Sequence, residues 1–171
     1  MTENFDEIEK RIIKVLDDFL LEVEENKYVG NKIWTNRLKE SIGDLGKELE
    51  HEVAIGGFPN KFEREWLYDI VWYQEDSENR LIRTPLIVES EWSRNYSGIK
   101  YDFEKLLIGN AEKRLMICQS EPSQVENLFV KFKEAINAFE ENYNDRFLIA
   151  ILDSVTESIF HYKTFTKIKR N

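Results

Sequence analysis

Cysteine is all but missing from this sequence: Cys118 stands alone, inside the apolar run LMIC. An internal disulfide is excluded, and a buried structural thiol is the expected role. Neither His51 nor His161 has a Cys or a second His at zinc-ligand spacing, so no zinc site is assigned. Proline (3) and glycine (7) are scarce, and there is no internal repeat or low-complexity segment, which argues against a fibrous or linker-like chain. No apolar run approaches the ~20 residues that cross a bilayer. The acidic start MTENFDEIEK has no apolar signal-peptide region. No Gly-rich phosphate loop and no serine-nucleophile motif is present. These absences lead to the expectation of a soluble cytoplasmic protein with no membrane partner. Positive charge is also in deficit, 24 Lys and Arg against 33 Asp and Glu, a net −9. That counts against a broad basic face for nucleic acid. The deficit is uneven: residues 1–52 hold 14 acidic and 8 basic side chains, residues 53–171 hold 19 and 16. Most of the excess therefore belongs to an N-terminal helical segment, where a solvated face explains it.

What is present is enough for one domain with a real core: 171 residues, 42% hydrophobic and 13% aromatic. Residues 4–25 repeat at helical spacing through Phe5, Ile8, Ile12, Leu16, Phe19 and Val23. A second helix is predicted over about 32–53, with Ile42, Leu45 and Leu49 on one side; Gly43 and Gly46 weaken it and suggest two pieces. GGFPN at 56–60 is a turn cluster. WLYDIVWY (66–73) and RLIRTPLIVESEW (80–92) read as strands of a hairpin around the polar QEDSEN, with Pro85 marking a bulge or an edge. IKYDFEKLLIGNA predicts a helix with Ile99, Phe103, Leu106 and Asn110 on one stripe. RLMIC (114–118) is a short apolar strand suited to a sheet centre. PSQVENLFVKFKEAINAFEENY (122–143) is an amphipathic helix, and 146–152 and 158–165 are two more strands. A strand–helix–strand step implies a mixed sheet covered by helices.

The stretch PLIVESEWS (85–93) runs from apolar strand residues into Glu-Ser-Glu. Residues two apart in a strand share a face, so Glu89 and Glu91 project together. If the two strands pair as a hairpin, Asp69 lies beside Glu89 and three carboxylates converge. Unpaired, they would repel and be costly to desolvate. A hard dication removes both penalties, and Mg²⁺ typically takes one or two carboxylates and keeps several waters. The carbonyl of Ser90 is a further candidate oxygen ligand. Exposed or salt-bridged edge-strand acids are the alternative explanation, since short acidic patterns recur by chance in so acidic a chain.

Asp69, a gap of 19 residues and then Glu89-Ser90-Glu91 resembles the motif of the PD-(D/E)XK nuclease superfamily, the restriction-endonuclease-like proteins. The resemblance covers about residues 40–120. It implies an α/β (α+β) fold with an αβββαβ core and a mixed central sheet flanked by helices. Residues 1–30 are then an added N-terminal helix, and 122–171 an added helix and two strands, all in one domain. It carries the metal-binding acids to Asp69 and Glu89, with Mg or Mn as the cofactor. The family's Lys falls on Glu91, a departure that leaves Glu91 to take a proton from water or bind metal. Some relatives take the ammonium from the next helix, where Lys105 stands in the matching stretch; by helical angle Lys105 points away from the sheet and Lys100 lies nearer the apolar edge, and a solvated helix lysine is an equal alternative for each. The family also places a Glu on the helix before the hairpin, so Glu48 and Glu52 are candidate ligands, with helix-end fraying as the alternative.

Arg94, Asn95 and Lys100 follow the motif and are candidates for tracking a nucleic-acid backbone. Trp92, beside them, either joins that loop or packs on the far face with Val88. The basic tail, with Lys163, Lys167, Lys169 and Arg170, either touches phosphates or frays. The expected function is an Mg-dependent endonuclease acting on nucleic acid, DNA before RNA, gripping it with help from a homodimer or a partner subunit. The alternative is a catalytically inactive nuclease-fold protein that binds or regulates a partner.

Overall fold

A computed structural model describes residues 4–140, 145–153 and 158–167. The elements are α1 (Glu7–Asn26), α2 (Asn31–Glu48), β1 (Glu52–Ile55), β2 (Ile70–Glu75), β3 (Leu81–Glu91), α3 (Tyr96–Ile108), β4 (Lys113–Ser120), α4 (Val125–Ala138), β5 (Arg146–Asp153) and β6 (Ile159–Thr166). The strands form one mixed sheet in chain order, β1 to β6. β1, β2 and β3 are antiparallel, β3, β4 and β5 run parallel, and β6 turns back against β5. The parallel steps are made by α3 and α4, as parallel neighbours require.

Side-chain alternation splits the core in two. Ile70, Trp72, Leu86, Val88, Leu115, Ile117 and Leu148 pack against α1 and α2. Val71, Ile87, Met116, Cys118, Phe147 and Ile149 pack against α3 and α4. The sheet is thus covered on both faces, and β4 and β5 are apolar nearly throughout for that reason. Cys118 is fully buried, and burial pushes its thiol well up from the ordinary value.

α1 begins at a capping box: the Asp6 carboxylate accepts from the backbone N–H of Ile8 and Glu9, and the Glu9 carboxylate accepts from the N–H of Asp6. Glu9 is itself buried and takes hydrogen bonds from Arg146 and Thr164, so the cap ties α1 to β5 and β6. α2 is one continuous helix, not two pieces. Its glycines allow close approach rather than breaking it: a Cβ on Gly46 would lie 2.5 Å from the Trp72 indole nitrogen. Tertiary contact here outweighs helix propensity.

Three further expectations are corrected. The helix over 32–53 stops at Glu48, and Glu52–Ile55 forms a short edge strand on β2. The strand over 66–73 begins only at Ile70; Trp66 and Leu67 lie exposed before it. The helix over 122–143 opens with a 3-10 turn at Pro122–Gln124 and α4 ends at Ala138; residues 141–143 of that expectation lie outside the described residues. Pro85 falls where the β2–β3 register shifts, between the pairs Trp72–Leu86 and Gln74–Arg83, and where β3 has not yet met β4.

Candidate active site

The β2–β3 register positions the first pair of acids. Ile70 pairs with Val88, so Asp69, one residue earlier, stands opposite Glu89. Both lie at the carboxyl end of the parallel strands, where crevices of open α/β sheets form. Their side chains are held by different helices.

Asp69 is held from the α2 side. Its Oδ1 is 2.7 Å from Lys39 Nζ, and its Oδ2 accepts from the Ser90 backbone N–H at 2.9 Å and from the Ser90 hydroxyl at 2.6 Å. Lys39 is 9% exposed and also lies 3.8 Å from Glu65. Glu89 is held from the α3 side. It is 2% exposed, and its Oε1 lies 2.5 Å from Lys105 Nζ in an ion pair. Burial, reinforced by the nearby charges of Asp69 and Asp102, pushes the Glu89 carboxyl up to about 7, although Lys105 opposes the shift. Lys105 is itself depressed by burial, but Glu89 and Asp102 outweigh that and raise it, so the ammonium stays charged. Asp102, 3.6 Å from Lys105, is raised by burial, with Glu91 and Asp69 adding to the effect.

Glu91 turns toward the start of α3. Its Oε1 accepts from the Ser93 N–H at 2.6 Å, and its Oε2 sits where a Cβ on Gly98 would come within 2.9 Å. Glycine at 98 is what lets this carboxylate rest on the helix. Behind α3, the buried Arg114 donates to the carbonyls of Leu106 and Ala111 at 2.8 and 3.0 Å and pairs with Asp145, which fixes the helix end against β4.

Asp69, Glu89 and Lys105 are therefore brought into one electrostatic cluster with Glu91 at its margin. Glu48 and Glu52 are not part of it. Glu48 pairs with Arg11, and Glu52 pairs with Lys47 and stands opposite Tyr73, at the far end of β1 from Asp69. The reason is the early end of α2: what continues the helix in the sequence is already strand. Lys100 is exposed and paired with Glu104. Asn95 caps α3 by accepting from the Ser97 N–H at 3.1 Å, and Arg94 is exposed beside it. Ser90 enters through its N–H and hydroxyl. Trp92 is buried on the α1–α2 side with Val88, edge-on to Trp34 at 6.2 Å. Lys163 pairs with Glu126 and Lys167 contacts the Phe139 carbonyl; Lys169 and Arg170 lie outside the described residues.

Lys105 reaches Glu89 around the flank of α3, because four methylenes carry its ammonium well off the helical angle of its Cα. Lys39 and Asp102 were not expected. The signal for Lys39 was in the sequence: it shares a helical stripe with Ile42, Gly43 and Gly46. A cation on an apolar stripe needs an acidic partner.

The donor set is all oxygen. Asp69, Glu89, Glu91 and Asp102 set four carboxylates against the ammoniums of Lys39 and Lys105, a formal excess of two negative charges. Among the described residues, no three His, Cys, Asp or Glu side chains are grouped closely enough to hold one metal ion. Two carboxylates, Asp69 and Glu89, fit a cation that keeps much of its water, as Mg²⁺ does. No helix among the described residues is long and apolar enough to cross a membrane. In comparisons with known proteins, no family model, curated protein or solved structure matches the chain.

Proposed function

We propose that the chain is a metal-dependent phosphodiesterase, a nuclease with DNA as the favoured substrate. The observation that carries this reading is the opposition of Asp69 and Glu89 across β2 and β3, with Glu89 buried beside the Lys105 ammonium. A buried carboxyl raised to about 7 inside a polar cluster is a mark of functional sites. The order α2–β1–β2–β3–α3–β4 supports the reading, because it is the αβββαβ order implied by the motif's resemblance.

Asp69 and Glu89 would hold Mg²⁺ or Mn²⁺, which when bound supplies a Lewis acid for the phosphate and lowers the pKa of a water. Ser90 orients Asp69 through two hydrogen bonds, and Lys39 steadies the other oxygen. Lys105 offsets the charge of Glu89 and offers N–H donors for a phosphate oxygen as charge builds on it. Glu91 is the group to take the proton of the attacking water, standing where the family has Lys.

Calorimetric titration with Mn²⁺ tests this. The wild type binds the ion, and Asp69→Ala and Glu89→Ala do not. Wild type with Mn²⁺ nicks supercoiled plasmid, and Glu89→Ala lowers that rate at least a hundredfold. No binding at millimolar Mn²⁺ sinks the enzyme reading. A second reading, an inactive nuclease-fold binding protein, draws on one observation: Lys39 and Lys105 already neutralise both acids. It predicts neither ion binding nor nicking.

A further inference from the structure

Beside the acid cluster lies a cavity of about 560 Å³, formed by the turn after β1 and the segment leading into β2. Ile55, Phe58, Phe62, Trp66 and Tyr73 give it apolar and aromatic walls. Trp66 is 41% exposed, and its ring lies tilted on Tyr73 with centroids 4.4 Å apart. The indole is thus braced on one side and open on the other. An indole held in this way offers a flat face at the mouth of the cavity.

The cavity is joined to the site. Glu65, in its wall, is 3.8 Å from Lys39, which pairs with Asp69; Trp66 itself is three residues before Asp69. Its charges are also selective. Glu63, Glu65 and Glu75 line it and repel a phosphate ribbon, but they do not repel a neutral base. Arg64 is the single cation in the wall; it is exposed and has no ion-pair partner among the described residues.

We infer that this cavity receives an unstacked nucleobase of the nucleic-acid substrate, with Trp66 as the stacking platform and Arg64 on the adjoining phosphate. The inference rests on the nuclease reading and narrows its substrate to strands with single-stranded or splayed nucleotides. Stacking is tolerant of base identity and adds a contact that does not depend on a broad basic face, with Arg64 meeting the phosphate. A continuous duplex keeps its bases stacked and leaves the platform unused.

The test is fluorescence anisotropy in EDTA, where cleavage cannot interfere, with a labelled single-stranded 15-mer oligodeoxynucleotide and with the same strand in a blunt duplex. The wild type is expected to bind the single strand at least tenfold more tightly than the duplex. Trp66→Ala should weaken single-strand binding by about tenfold. Trp66→Phe should keep most of the affinity while losing the quenching of indole emission that accompanies binding. Equal or tighter duplex binding, an unchanged Trp66→Ala, or no binding of either probe overturns the platform. Plasmid nicking together with duplex preference would leave cleavage standing without the platform. Single-strand binding without Mn²⁺-dependent nicking would do the reverse.

Discussion

Glu89 concentrates the electrostatics of the molecule in one side chain. A carboxyl that titrates higher in the folded chain than in the unfolded one favours the fold only while it is protonated. The contribution is complete below the unfolded value of 4.5 and is lost as pH rises through about 7. The difference corresponds to ~3 kcal/mol. Glu89→Gln keeps the shape without the titration. We expect its stability to match the wild type near pH 4.5 and to exceed it by up to ~3 kcal/mol above pH 7. Urea denaturation of both proteins from pH 4.5 to 8 reads this directly, and a gap that does not change with pH refutes it. Asp69 and Glu89 were legible in the sequence because strand alternation and hairpin pairing are local rules. Lys39 was not, because the rule that exposes it, a charge on an apolar stripe, was satisfied more conspicuously by Glu48 and Glu52. The flank reach of Lys105 needed the real position of α3 over β3, which no helical wheel supplies.

At the scale of elements, the strands β3 to β6 and the helices α1, α3 and α4 were readable from their periods, although α4 starts later and ends earlier than its pattern. β1 was not. Its four residues, EVAI, follow a helical pattern directly, and what makes them a strand is pairing with Ile70–Tyr73. Long-range partners of that kind leave no local trace. The glycines of α2 misled for the opposite reason, as Gly46 looked like a weakness and is a contact surface. Gly46→Ala separates the two explanations. Propensity alone predicts a gain of about 1 kcal/mol. The approach of Trp72 predicts a loss of about 1–3 kcal/mol, since neither helix nor indole has room to retreat. A lower thermal midpoint for Gly46→Ala is the expected outcome, and a higher one would show that α2 floats free of the sheet.

For the molecule as a whole, the net charge of −9 shapes how any nucleic acid is held. The lysines near the site are committed: Lys39 to Asp69, Lys105 to Glu89, Lys100 to Glu104. Few phosphates can be neutralised, so few counterions are released on binding. Single-strand affinity should therefore fall by no more than about tenfold between 50 and 200 mM salt. A drop of several hundredfold would refute this and reveal many phosphate contacts. On the proposed metal-dependent reading, an ion held by Asp69 and Glu89 would stabilise the folded chain by ~2.7 kcal/mol at a hundred times its Kd, so the thermal midpoint should climb with Mn²⁺ and stay flat in Glu89→Ala.

The buried cap of α1 has a consequence for synthesis. Glu9 meets Arg146 and Thr164, which follow it by 137 and 155 residues. The stripe Ile12, Leu16, Phe19 shares its cluster with Leu148, Ala150 and Phe160. At about 5–20 residues per second, a ribosome needs roughly 8–30 s to deliver those partners. For that interval the local Asp6–Glu9 capping box can close, but Ile12, Leu16 and Phe19 have no partners from β5 and β6 to cover them.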